Sequence, residues 1–200
     1  QKSVLYAFLT KRFTIVLKFR QAGLTELIAL YALWLAMFHK DKNIIIISIK
    51  ERVAKKVLRK IKYMYKNLPE FMKVPIVNGR PGELGTSFEM EFSNGSLITS
   101  VPTTEEAGRS EGVSLLVIDE AAIIRWANTI WASSFPTLST GGSAIVNSTP
   151  YGIGGWYHKT YSDALLGANP FYPIRLRWQM HPDRDEKWYK EMREALGPRR

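Results

Sequence analysis

The hexapeptide Leu115-Leu116-Val117-Ile118-Asp119-Glu120 constrains this chain more than any other stretch. Its first four residues form an apolar run, bounded by Ser114 on one side and by two carboxylates on the other. A run this short reads as a strand buried on both faces, as in a parallel sheet. Such a strand does not end on adjacent carboxylates unless something partners them. Ligands of open α/β sheets bind in the crevice beyond the carboxyl ends of the strands. There Asp119 can hold a magnesium ion, and Glu120 can orient or deprotonate a water. The plain alternative is a strand that ends in a solvated acidic turn. The hexapeptide alone does not choose between the two.

A second stretch has the context that phosphate chemistry needs. Arg12 to Leu17 reads as a strand. The loop Lys18-Phe19-Arg20-Gln21-Ala22-Gly23-Leu24-Thr25 follows, and then a strongly apolar helix from about Glu26 to Phe38. The head of such a helix offers unpaired N–H groups and a partial positive charge to a phosphate. Against the pattern G-x-x-x-x-G-K-[ST] the loop is irregular. Gly23 and Thr25 fit the second glycine and the magnesium-binding hydroxyl, but Leu24 stands where lysine is expected and Lys18 where the first glycine is expected. Leucine cannot hold a phosphate charge. Lys18 and Arg20, at the front of the loop, are the candidate replacements. Strand–glycine–helix turns are common, so the loop alone is weak support.

The remaining elements alternate. Gln1 to Leu9 fits a helix. Ile44 to Ile47 is a β-branched strand, and Glu51 to Asn67 a basic amphipathic helix. Phe88 to Phe92 and Leu97 to Val101 flank Ser93-Asn94-Gly95-Ser96, a strong hairpin signal. A helix is expected over Ala121 to Ser133 and a strand over Ser143 to Asn147, ending at Ser148-Thr149-Pro150. Helix Trp156–Leu166, strand Phe171–Arg177 and helix Asp183–Leu196 complete the chain. About five buried strands alternating with helices, plus one hairpin, predict an α/β fold with a mainly parallel sheet flanked by helices.

Charge is unevenly spread. Residues 1–70 hold 15 Lys and Arg against 4 Asp and Glu, residues 71–150 hold 4 against 8, and residues 151–200 hold 9 against 6. A basic N-terminal third suggests a polyanionic partner, DNA or RNA, although a lysine-rich helix can also be simply a solvated surface. With no cysteine and three scattered histidines, disulfides and thiolate metal sites are excluded. No apolar run reaches the length of a membrane span. The chain starts at Gln1 without an initiator methionine, which reads as a fragment of something longer.

Taken together, these motifs resemble the ATPase domain of the large terminase subunit of tailed bacteriophages. Arg20-Gln21-Ala22-Gly23-Leu24-Thr25 is similar to that family's R-Q-x-G loop, in which the basic residue can come early and the usual lysine be missing. Leu115 to Glu120 matches its Walker B strand and catalytic glutamate. Ser148-Thr149-Pro150, with Gly152, looks like its S-T-P-x-G coupling segment. Gln1 falls where the family has an adenine-recognising glutamine. The Asn94-Gly95 hairpin and Gly108-Arg109 also fit. The resemblance spans nearly the whole chain, and order and spacing carry it more than any single motif.

The resemblance implies a P-loop NTPase (ASCE-type) with a β-hairpin insertion, residues 1–178 being the ATPase core and 179–200 the start of a lid subdomain. It implies ATP and Mg2+ as cofactors, with the nucleotide held by Gln1, Lys18, Arg20, Gln21, Ala22, Gly23, Leu24 and Thr25, and the metal by Thr25 and Asp119. Glu120 would position water, Arg20 or Lys18 would neutralise charge, and Ser148, Thr149 and Pro150 would relay loss of the γ-phosphate. Arg109 would serve a neighbouring subunit as an arginine finger; its alternative is a surface residue or an ion pair with Glu105, Glu106 or Glu111. The implied partners are double-stranded DNA, a portal protein, a small terminase subunit and further copies in a ring, in the host cytoplasm. Two other classes stay open: a helicase or other nucleic-acid translocase, and a non-hydrolysing nucleotide- or DNA-binding module degenerate at Leu24.

Overall fold

The computed structural model describes residues 1–104, 112–138 and 141–196. Helix α1 (Lys2–Thr10) leads into strand β1 (Phe13–Leu17), helix α2 (Leu24–Phe38), strand β2 (Asn43–Ser48) and helix α3 (Glu51–Lys66). Strands β3 (Glu89–Glu91) and β4 (Leu97–Pro102) form the hairpin. Strand β5 (Leu115–Asp119), helix α4 (Ala127–Ser134), strand β6 (Ser143–Ser148), helix α5 (Trp156–Leu165), strand β7 (Tyr172–Arg175) and helix α6 (Glu186–Leu196) follow.

One seven-stranded sheet runs in the order β3-β4-β2-β5-β6-β1-β7. Among the described strands every pairing is parallel except β3 with β4. Strand β4 is therefore a full member of the main sheet, in register with β2 from Asn43↔Leu97 to Ser48↔Pro102. The central strands are buried along their length, which is why they read as unbroken apolar runs. Alternate residues feed two cores. Val16, Ile44, Ile46, Leu115, Val117 and Ile145 pack under α1, α2 and α3. Ile15, Ile45, Ile47, Leu116, Ile118 and Val146 pack under α4 and α5. Helix α2 packs against the sheet, α1 and α3, with Tyr31 donating its hydroxyl to the Phe8 carbonyl at 3.1 Å, while Leu30, Trp34 and Phe38 stay exposed on its outer side.

Two elements differ from the sequence reading. The stretch after Glu120 is not one helix from Ala121 but a 3-10 turn, Ala121–Ile123, followed by α4 from Ala127. Glu120 is left-handed at φ 57°, and Ile124 is extended, so no continuous helix can cross this stretch. The last strand is a half-exposed edge of four residues rather than a buried strand. Among the described residues no helix is long and apolar enough to cross a membrane.

The hairpin turn has a second job. The Asn94 side-chain amide donates to the carbonyls of Ala36 at 2.9 Å and His39 at 3.2 Å, so it satisfies orphan carbonyls at the end of α2. Gly95 takes φ 83° beside the Asp41 carboxylate. Asn94→Ala should lower unfolding free energy by about 1–2 kcal/mol in urea titrations, from the stranded carbonyls and the lost turn bond. A loss confined to a few tenths would show that water takes over those carbonyls.

Candidate active site

Three neighbouring strands bring the chemistry together at their carboxyl ends. In the register, Val16 of β1, Asn147 of β6 and Asp119 of β5 lie side by side, and Ile47 of β2 pairs with Ile118. Leu17 pairs with the buried Ser148 on the next rung, and Lys18 and Glu120 follow directly after the ends of β1 and β5. The Lys18 amide extends the ladder by donating to the Ser148 carbonyl at 2.9 Å. Its ammonium group, on a side chain only 7% exposed, forms an ion pair with Glu120 Oε1.

The second oxygen of Glu120 meets three donors: the Thr149 amide at 3.2 Å, the Thr149 hydroxyl at 3.3 Å and the Ser148 hydroxyl at 3.4 Å. Ser148 Oγ in turn accepts the Ala122 amide at 3.2 Å. Burial pushes the Glu120 carboxyl up. The hydrogen bond and charge of Lys18, with the Thr149 donors, outweigh it and hold the group below its ordinary value. The left-handed backbone at Glu120 turns the chain sharply out of the strand here. Non-glycine residues in this conformation are uncommon and cluster at functional sites.

Asp119 lies 5% exposed, and its Oδ1 has no hydrogen-bond partner among the described residues. Burial raises its pKa to about 6, with the Lys18 charge and the nearby Asn147 amide acting against the shift. The side-chain oxygen of Ser48 and both polar atoms of the Asn147 side chain are also buried without a well-formed hydrogen bond. With Asp119 they form a polar row across the ends of β2, β5 and β6. An orphaned carboxylate oxygen beside unused hydroxyl and amide groups fits a hydrated Mg2+ ion, which takes oxygen ligands and keeps several waters. Among the described residues no cluster of three His, Asp or Glu exists to hold an ion without help. The remaining ligands would be the Thr25 hydroxyl, water and phosphate oxygens.

The loop before α2 turns on two left-handed residues, Gln21 and Gly23. Gly23 caps the helix with φ 70° in the left-handed region, and a Cβ there would meet the Gln1 side-chain amide at 2.8 Å. Gln1 therefore lies against the glycine, at the mouth of the loop. Leu24 turns into the core at 3% exposure, so its place at the lysine position of the motif is a packing role. Thr25 is the second residue of α2. Gln21 takes φ 64° and accepts Arg184 from the segment before α6 at 2.9 Å. Arg184 itself packs over the rings of Phe19 and Trp188.

The family model for the N-terminal part of the terminase large subunit, T4likevirus-type, matches residues 15–185. The chain belongs to this terminase family. Solved structures share its fold. The large terminase ATPase domain of Thermus phage P74-26 is 20% identical with TM-score 0.68, over 92% of this chain and 83% of that one. The large terminase of a second thermophilic bacteriophage, in complex with ATP-gamma-S, is 13% identical with TM-score 0.69, over 98% of this chain and 49% of that one. The HK97 bacteriophage large terminase is 12% identical with TM-score 0.64, over 92% and 39%. The terminase domain described here thus spans about half the length of the ATP-gamma-S-bound relative.

Of the residues singled out in the sequence, the terminase fold brings Lys18, Asp119, Glu120, Ser148 and Thr149 together, with Gln1 and Gly23 beside one another at the loop. Arg20 is exposed on the loop, and Pro150 is exposed beyond Thr149. Arg109, with Glu105, Glu106 and Glu111, lies outside the described residues. Sequence reasoning missed Asn147, Ser48 and Arg184. A polar residue inside an apolar strand was the available signal for Asn147 and Ser48.

Asp119 supplies a pH test. Its folded pKa of about 6 lies above the ordinary 3.8. Between those values the folded protein keeps a proton that the unfolded chain has lost, so this group's contribution to stability falls as pH rises through the window and is flat above it. Without nucleotide or metal, Asp119→Asn should melt higher than wild type at pH 8, with the gain shrinking toward pH 4. A variant that melts lower at pH 8 would show that Asp119 is stabilising as a carboxylate.

Proposed function

We propose that this domain hydrolyses ATP with Mg2+ and, as the motor of a large terminase, drives double-stranded DNA into a procapsid. The observation that carries the reading is the Lys18–Glu120 pair, set beside Asp119 and the Thr149 donors at the carboxyl ends of β1, β5 and β6. Membership of the terminase family supports the motor role, and the ATP-gamma-S complex of the thermophilic-phage relative supports the choice of nucleotide.

Lys18 replaces the lysine that Leu24 displaces. Arriving phosphate oxygens compete with Glu120 for its ammonium group. The carboxylate is then free to orient a water, while Thr149 and Ser148 keep hold of its other oxygen. Backbone N–H groups at Gln21, Ala22, Gly23 and Leu24 cradle the phosphates, and Arg20 adds an exposed cation. Gln1, beside Gly23, recognises the base. Asp119 and Thr25 would hold the magnesium ion, which supplies charge neutralisation on the β- and γ-phosphates. When the γ-phosphate leaves, Lys18 returns to Glu120, and Ser148-Thr149-Pro150 carries the change toward α5. Arg109 from a neighbouring copy in a ring completes the site, a contribution of about 10³–10⁵ in rate. The portal protein and small terminase subunit are the assembly partners of that ring.

Turnover measured against protein concentration tests this. Glu120→Ala should lose about 10²-fold or more in turnover while a fluorescent ATP analogue still binds within a few-fold of wild type. Lys18→Ala should lose both binding and turnover, and Arg109→Ala only the rise with concentration. Full turnover in Glu120→Ala would overturn the assignment of the catalytic carboxylate.

A further inference from the structure

A second concave surface lies along α3, separate from the phosphate loop. It is a groove of about 560 Å³ between that helix and the segment Glu83–Ser87. Arg52, Lys55, Arg59 and Lys62 line its helical side. Their spacing of three, four and three residues puts them on one stripe of the helix. At about 1.5 Å per residue the stripe is about 15 Å long. The opposite wall is firmly built. Gly85 is buried at φ 78° against the backbone of Glu89, and the Thr86 hydroxyl accepts the Glu89 amide at 3.0 Å.

Two of the four cations are held in place. Lys62 donates to the Thr86 carbonyl at 2.6 Å, and Lys55 lies over the Phe88 ring while pairing with Glu51. Arg52 and Arg59 are exposed and have no acidic partner among the described residues. Among the described residues, Glu83 is the one carboxylate in the groove lining.

We propose that this groove binds the phosphodiester backbone of one strand of duplex DNA. The inference rests on the motor reading for its choice of polyanion, and the geometry selects the place. Each strand of a duplex presents one charge per about 3.4 Å of axis, so a stripe of about 15 Å faces about four phosphates. The cores of protein–protein interfaces are depleted in lysine, whereas protein–DNA interfaces are strongly positive and wet, which this lining matches. Among the described residues no aromatic ring lines the groove, so it offers no platform for unstacked single-stranded bases. Binding through phosphates alone is independent of sequence. The head of α3, near Arg52, starts at Glu51, just past the Ser48 end of β2. The DNA contact and the nucleotide site thus share one edge of the sheet.

The test is anisotropy of a fluorescein-labelled random-sequence 30-base-pair duplex between 50 and 200 mM NaCl. The double variant Arg52→Gln/Arg59→Gln should make the slope of log affinity against log salt shallower by about 1.8, from two lost phosphate contacts. Arg52→Lys/Arg59→Lys should keep the wild-type slope. So should Lys187→Gln/Lys190→Gln on α6, which removes equal charge elsewhere. Melting temperature and ATP turnover without DNA should be unchanged in all three, so misfolding is visible separately. A wild-type slope in the Arg→Gln double, an equal change in the α6 control, or no duplex binding by wild type at 50 mM salt would each overturn the proposal. If wild type binds a polyglutamate peptide through Arg52 and Arg59 but not the duplex, the groove is a protein-docking site and the DNA assignment falls, with ATP turnover intact. Loss of ATPase activity alongside groove-dependent DNA binding would sink the motor reading alone.

Discussion

The partly buried ion pair between Lys18 and Glu120 sets the terms for everything around it. Taking an ammonium group and a carboxylate out of water is costly, and mutual attraction offsets that only when the remaining donors and acceptors are also satisfied. Glu120 meets the condition through Thr149 and Ser148. That requirement fixes three elements relative to one another. The end of β1 must deliver Lys18, the end of β5 must turn Glu120 out through a left-handed residue, and the end of β6 must bring Thr149 alongside. A parallel sheet does this economically, since its strands all end on one edge.

Beside the satisfied pair lies an unsatisfied row. Asp119, Asn147 and Ser48 carry buried polar atoms without well-formed hydrogen bonds, each a cost of about 1–3 kcal/mol in an ordinary core. Apolar residues at these three positions would remove the cost. The row makes sense if a ligand binds the folded state and recovers the difference, since binding stabilises by mass action. Local rules of folding are broken most readily where a chain binds something. The contrast is informative: Lys18 and Glu120 are paired with each other and with the Thr149 donors, whereas Asp119, Asn147 and Ser48 are left open around the position suited to a hydrated cation.

Much of this was legible in the sequence where the signal was local. Strand β5 ends on Asp119, as its apolar run and acidic end required. The helical span of α3 and the Asn94-Gly95 hairpin follow from periodicity and turn chemistry. What stayed hidden was non-local. No pattern reveals that β4 joins β2 in parallel, because the pairing partner lies more than fifty residues away. The break after Glu120 was hidden by Ala121 and Ala122, good helix formers that a left-handed residue overrides. Lys18 and Arg20 could not be separated as loop cations by sequence, whereas burial separates them: one is enclosed beside Glu120 at the carboxyl edge of the sheet and the other exposed. Arg184 was invisible because its partners, Phe19 and Gln21, are over 160 residues away.

The basic N-terminal third also resolves into two populations. Lys18 is committed to the buried site. Lys55 and Lys60 pair with Glu51 and Glu26, and Lys60 joins α3 to the first turn of α2, where the glutamate also meets the helix dipole. These exposed pairs are worth roughly 0–1 kcal/mol each and weaken with salt, so they hold the fold only lightly. Core packing of Ala54, Val57, Leu58 and Ile61 is what fixes α3 on the sheet. The polar face of α3 is therefore free to carry a large excess of positive charge at little cost to stability. Its lysines can exchange Glu51 and Glu26 for other anions without disturbing the helix that bears them.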